Sequence, residues 1–140
     1  MSEDFTTPGL EATLRRSLEA LDRRDFDAAL TAYLPDAVWD TSVVGIGVFR
    51  GRDAIRGLFE DWWGTYTDLV QVLEEFRPLG NDVTLGVLTM RGRPEDSSGF
   101  VELRYAGVLT WAEELIERAT IYTDIDVARA AAERLAEERG

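Results

Sequence analysis

At Leu69 the spacing of apolar residues changes, and that change limits what this chain can fold into. Before it, apolar residues recur at helical intervals. Leu10, Leu14, Leu18 and Leu21 share one face of a first helix, with Glu11, Arg15, Glu19 and Asp22 on the wet side. Thr7-Pro8 reads as its cap and first position. Asp25 caps a short second helix over 26–33, where Phe26, Ala29, Leu30 and Tyr33 keep helical spacing. Two short strands, about 37–41 and 48–50, lead to a third helix over about 52–66. Its apolar face is broad: Ile55, Leu58, Phe59, Trp62, Trp63 and Tyr66. From Leu69 the period is two. It predicts four antiparallel strands over about 68–78, 82–92, 100–111 and 115–122. Gly80-Asn81-Asp82 supplies turn chemistry, and Ala112-Glu113-Glu114 a tight hairpin. Asp124 or Asp126 caps a last helix over about 127–138, weakly amphipathic and expected to pack loosely. Helices gathered on one face of a mostly antiparallel sheet make an α+β fold.

At 140 residues, one domain over 1–140 is expected. Composition then removes whole classes of chemistry. The chain has no cysteine, no histidine and no lysine; all fifteen basic residues are arginine. Disulfides, thiolate metal sites, a Schiff-base lysine and a histidine base are therefore excluded. No metal site and no cofactor are expected. The net charge of −12 argues against nucleic acid and anionic membrane as partners. Residues 1–9 do not read as a signal peptide, and no apolar run is long enough to span a bilayer. A cytoplasmic location is the expectation.

Several short anchors carry a resemblance. They are Asp25-Phe26-Asp27, Pro35-Asp36-Ala37-Val38-Trp39, Gly51-Arg52-Asp53-Ala54-Ile55 and Ile121-Tyr122-Thr123-Asp124. In this order and spacing, over about residues 10–125, the chain resembles the nuclear transport factor 2-like superfamily, in particular its SnoaL-like branch. The resemblance implies a cone. One curved, mostly antiparallel sheet wraps the N-terminal helices and leaves an internal pocket open at one end. Such scaffolds host enzymes, binding modules and dimerisation domains.

Alternation nominates the pocket lining. Val101, Leu103, Tyr105, Gly107, Leu109 and Trp111 form one face of their strand and should point inward, which makes Tyr105 the mid-strand donor. On the last strand hydrophobicity does not choose between the face of Thr120 and Tyr122 and that of Ala119 and Ile121. Likeness to ketosteroid isomerases favours Tyr122. Trp62-Trp63 could be a stacking platform or plain core. Arg91 could meet an anionic ligand or pair across strands with Glu102. Gly45-Ile46-Gly47 reads as a flap beside the pocket or a plain turn.

Asp40 is the candidate catalytic base, a lone carboxylate ending an apolar strand. Matching the acidic-alanine pair of ketosteroid isomerases to Asp36-Ala37 sets their catalytic Asp on Thr41, one step away. Trp39 and Thr41 would then line the cavity, with Asp40 pointing away. The carboxylates expected of an epoxide hydrolase fall on Arg93 and Ile121. The acid/base Asp of a SnoaL-type polyketide cyclase finds no clear position. The expected function is binding of a small, mostly apolar organic ligand by a homodimer formed through the outer sheet face. The expected lining is Trp39, Thr41, Trp63, Arg91, Tyr105 and Tyr122. The alternatives are an acid/base isomerase, cyclase or hydrolase, and a non-catalytic interaction domain.

Overall fold

The alternation after Leu69 becomes the larger part of one sheet, and the helical segments close one side of it. The computed structural model describes residues 7–140, with side chains from residue 9 onward. The order is α1 (Thr7–Asp22), α2 (Phe26–Leu30), β1 (Tyr33–Asp40), a 3-10 turn (Ser42–Val44), β2 (Val48–Arg50), α3 (Arg52–Gly64) and β3 (Tyr66–Gly80). Then come β4 (Val83–Pro94), β5 (Val101–Ala112), β6 (Leu115–Tyr122) and α4 (Ile125–Arg139). The strands lie in the order β2-β1-β6-β5-β4-β3. Only the β1–β6 pairing is parallel. The sheet is curved and unclosed, and bulges in β3 near Leu73 and Pro78 bend its longest ribbon.

The concave face packs on α1 and α3. Leu10, Leu14 and Leu21 of α1 meet Ile55, Phe59 and Trp63 of α3 and the inward residues of β3 to β6 in one core. Phe59 and Trp63 have no exposed surface. Ring contacts knit the centre: Trp39 meets Phe59 edge-on at 5.1 Å, and Trp62 tilts against Trp63 at 5.1 Å.

The helical capping expected at Thr7-Pro8 concerns side chains outside the described residues, although the backbone is helical from Thr7. Several boundaries move. The third helix ends at Gly64, and Tyr66, expected on its face, opens β3. The second helix ends at Leu30, and Tyr33 opens β1 as a buried strand residue. Its carbonyl accepts from Arg52 Nε at 3.0 Å, so the start of α3 clamps the start of β1. Strand β1 stops at Asp40, and Thr41 begins the turn instead.

The last helix packs tightly, contrary to expectation. Ala128, Ala132 and Ala136 are buried on the convex face against Val83, Leu85, Val87, Ala106 and Val108. Alanines at four-residue spacing let the helix approach the sheet closely, though they add little to an amphipathic pattern. Arg129 fixes the helix to β3 through two bonds of 2.7 Å to the Glu75 carboxylate. Strand β4 is thus covered on both faces over Val83–Leu88, which is why its sequence does not alternate cleanly.

Candidate functional site

At the open end of the concave face lies a hollow of about 510 Å³. Each wall comes from a different element. Helix α3 supplies Leu58, Asp61, Trp62 and Thr65, which recur at i, i+3, i+4 and i+7 and so share one face. Strand β5 supplies Leu103 and Tyr105, and β6 contributes Ile121. Trp39 stands at the end of β1, with Phe49 of β2 beside it.

The remaining wall is the flap between β1 and β2. Thr41 holds its base. Its N–H and hydroxyl both donate to the Gly47 carbonyl, at 2.7 and 2.8 Å, and its carbonyl accepts from Ile46 N–H at 3.0 Å. Gly45 and Gly47 have φ of 83° and 127°, backbone that residues with a Cβ rarely adopt. This geometry turns Val44 and Ile46 toward the hollow. Ile46 remains 60% exposed, at the rim.

Polar groups on this lining are few. The Tyr105 hydroxyl donates to Gln71 Oε1, and both side chains are buried. Burial drives the phenol far above its ordinary pKa, so Tyr105 stays protonated; its one proton is held by Gln71, and its oxygen can still accept. Trp62 Nε1 donates to Met90 Sδ at 3.2 Å. Asp61 is exposed at the rim and is the one charged group on the lining among the described residues. Behind this hollow a second, deep cavity measures about 40 Å³, bounded by Trp39, Phe59, Trp62, Trp63 and Gln71. The indole N–H groups of Trp39 and Trp63 are buried without a hydrogen-bond partner among the described residues.

The nominated residues separate into three places. Trp39, Thr41 and Tyr105 line the mouth hollow. Trp63 bounds only the deep cavity and fills the core. Asp40, Arg91 and Tyr122 lie on the convex face; Arg91 and Tyr122 thereby leave the expected lining, while Asp40 points away as the isomerase matching implied and so loses the role of a base in the hollow. The β1–β6 register explains two of them. Trp39 pairs with Ala119 and Asp40 with Thr120, so Ala119 and Ile121 share the inward face while Thr120 and Tyr122 face out. Tyr122 packs against the cluster under α4. Arg91 stands opposite Glu102 in register and stacks on the Phe100 ring at 4.4 Å.

Asp40 is structural in its surroundings. Its Oδ1 accepts from Ser42 N–H at 2.9 Å and from Ser42 Oγ at 2.5 Å; its Oδ2 accepts from Arg118 at 2.5 Å. Burial by itself would raise its pKa, but the Ser42 bonds and the Arg118 guanidinium outweigh it and hold the carboxyl below the usual range. A low pKa and an outward direction both unsuit it as a base acting in the hollow.

A larger hollow of about 810 Å³ runs along the convex face beside α4. Its lining mixes apolar residues such as Leu34, Val38 and Leu135 with many charged groups, among them Asp36, Asp40, Glu117, Arg118 and Arg134. Small-molecule sites are mostly apolar with few polar groups, so the smaller mouth hollow fits that description better. Among the described residues no cluster of carboxylates has the arrangement of a metal site.

Sequence reasoning missed Asp61, Leu103 as a rim residue, and Gln71. The helical spacing of Leu58, Asp61, Trp62 and Thr65 was the available signal for Asp61. Gln71 shares the inward alternation of Leu69 and Leu73, which marks a buried polar side chain with a task.

A family description, "SnoaL-like domain", matches residues 14–119. No curated protein matches. Among solved structures, the chain is similar to TerC co-crystallised with polyporic acid, at 17% identity and a TM-score of 0.73, covering 90% of this chain and 98% of that one. It is similar to an NTF2-like protein of unknown function from Burkholderia pseudomallei, at 20% identity and a TM-score of 0.71, covering 89% and 97%. It is also similar to an LEH-like epoxide hydrolase from M. tuberculosis, at 19% identity and a TM-score of 0.68, covering 91% of each chain. At these identities the likeness is one of fold.

Proposed function

The chain belongs to the SnoaL-like domain family, and on that premise we propose that it binds a small, mostly apolar organic molecule in the mouth hollow. One observation carries this reading. A space of about 510 Å³ is walled by Trp39, Phe49, Trp62 and Tyr105, with Asp61 as its single charged group among the described residues. Volume and lining both fall in the ordinary range for small-molecule sites. The neighbours crystallised with polyporic acid or described as an epoxide hydrolase handle small organic molecules on the same fold, which supports the reading by analogy. The lining we assign is Trp39, Thr41, Asp61, Trp62, Leu103 and Tyr105.

Binding is preferred to acid/base catalysis because Asp40 is committed to Ser42 and Arg118 on the other face. An enzyme built here would have to use Asp61 as its base, and the Tyr105 proton would first have to leave Gln71. We read residues 1–140 as one such domain, without a cofactor. We place it in the cytoplasm, which the absence of cysteine suits. We further propose a homodimer through the convex face near Val70 and Val72, which are 50% and 54% exposed on adjacent outward positions of β3. Calorimetric titration with a neutral bicyclic aromatic alcohol tests the binding reading. One saturable site supports it, and no saturable heat refutes it.

A further inference from the structure

We infer that the guest of this hollow carries a positive charge: a hydrophobic amine whose apolar body enters between the rings and whose ammonium meets Asp61 at the rim. The inference rests on the pocket reading above and adds the ligand's charge to it.

Three features of the site point the same way. The first is the sign of the lining. No arginine touches the hollow, although the chain has fifteen, and among the described residues Asp61 is the one charged residue that does. An anionic guest would meet no cation here. The second is the end of α3. Asp61, Trp62 and Thr65 belong to the last turn of that helix and its cap, where the helix dipole is negative. Arg24 caps the same end of the helix from outside the lining. Its guanidinium donates to the carbonyls of Trp63 and Tyr66, at 2.7 and 2.8 Å, and it is not part of the lining. The third is the character of the walls. Trp39, Trp62 and Tyr105 present π-systems, and the ring centroids of Trp62 and Tyr105 stand 6.1 Å apart. Aromatic faces attract a cation and tolerate an apolar body equally well. The net charge of −12 also raises the local concentration of cations over anions.

The experiment compares three probes of one shape by calorimetry at pH 7 and low salt: 1-naphthylmethylamine, 1-naphthylmethanol and 1-naphthoic acid. The amine is expected to bind about threefold to tenfold more tightly than the alcohol, the range open to an exposed ion pair with aromatic support. The acid is expected to bind most weakly. The amine's advantage should shrink as salt is added. In the Asp61→Asn variant, whose thermal midpoint should match the wild type, the ratio of amine to alcohol affinity should fall to about one. An amine no tighter than the alcohol overturns the inference and leaves the pocket reading standing. So does an advantage that survives Asp61→Asn. Failure of all three probes to bind overturns both.

Discussion

Asp40 and Arg118 close an ion pair of 2.5 Å on the convex face of the sheet, directly behind the residue, Trp39, that lines the hollow. Alternation alone separates the two environments: consecutive side chains of one strand stand on opposite faces. Asp40 also anchors Ser42 at the root of the flap, so its carboxylate ties the outer face to the mouth by structure.

Asp40→Asn should therefore change acid stability. The folded-state pKa of Asp40 is depressed, so the unfolded chain binds the proton more readily. The stabilisation is fully present above the ordinary value of 3.8 and is lost as pH falls through the lower folded value. At pH 7 the variant should be less stable by about 1–2 kcal/mol, the scale of hydrogen bonds to a charged group. Chemical denaturation as a function of pH checks this. The gap should begin to close near pH 3.8 and vanish only once the pH is below the depressed folded value. A constant gap down to strong acid would show that the pair does not act through ionisation.

The hairpin between β5 and β6 is under strain that a double substitution should relieve. Ala112 pairs with Leu115, leaving Glu113 and Glu114 as a two-residue loop with φ of 55° and 67°. Asn-Gly is favoured where both loop residues need positive φ. Glu113→Asn with Glu114→Gly should stabilise the protein by about 1 kcal/mol, because each left-handed non-glycine residue costs roughly 1–2 kcal/mol. Thermal denaturation measures it, and an unchanged or lowered midpoint would contradict the turn geometry.

Two core substitutions should differ sharply. Phe59→Ala removes a fully buried ring that touches Trp39 and Trp63, and should cost about 3–5 kcal/mol. Trp63→Phe also loses volume, but it removes a buried indole N–H that has no partner among the described residues. The relief of that unpaired donor, about 1–3 kcal/mol, offsets much of the lost packing. Urea titrations should place Trp63→Phe well above Phe59→Ala in stability. Equal losses would mean that the Trp63 N–H is satisfied in solution.

The convex-face dimer is checked by sedimentation. Val72→Glu puts a charge beside Val70 and near Glu74 on the outward side of β3. It should convert a dimer to a monomer without lowering the thermal midpoint of the monomer fold. A wild-type protein that already sediments as a monomer would contradict the assignment.

Much of the fold was legible because it depends on period and punctuation. The change of period at Leu69, the Gly80-Asn81-Asp82 turn and the helical face of α3 all read directly. The α4 contact was not legible, because Ala128, Ala132 and Ala136 bury a face through small size and not through hydrophobicity. The site was legible where hydrophobic and polar residues alternate, as around Tyr105. It failed at β6, where Arg118, Thr120 and Tyr122 alternate with Glu117, Ala119 and Ile121 and neither set is uniformly apolar. There the parallel register with β1 decides the face, and a contact such as that of Asp40 with Arg118, 78 residues apart, leaves no local trace.

The most direct test of the central claim is to fill the hollow from its rim. Leu103 lines it yet is 40% exposed, so Leu103→Trp can add bulk at the entrance without overpacking the core. Calorimetric titration of 1-naphthylmethanol should give one saturable site in the wild-type protein. In Leu103→Trp, with its thermal midpoint unchanged, affinity should fall by at least about tenfold, the equivalent of 1.4 kcal/mol. Equal affinity in the two proteins, or no saturable binding to the wild type, would contradict the account.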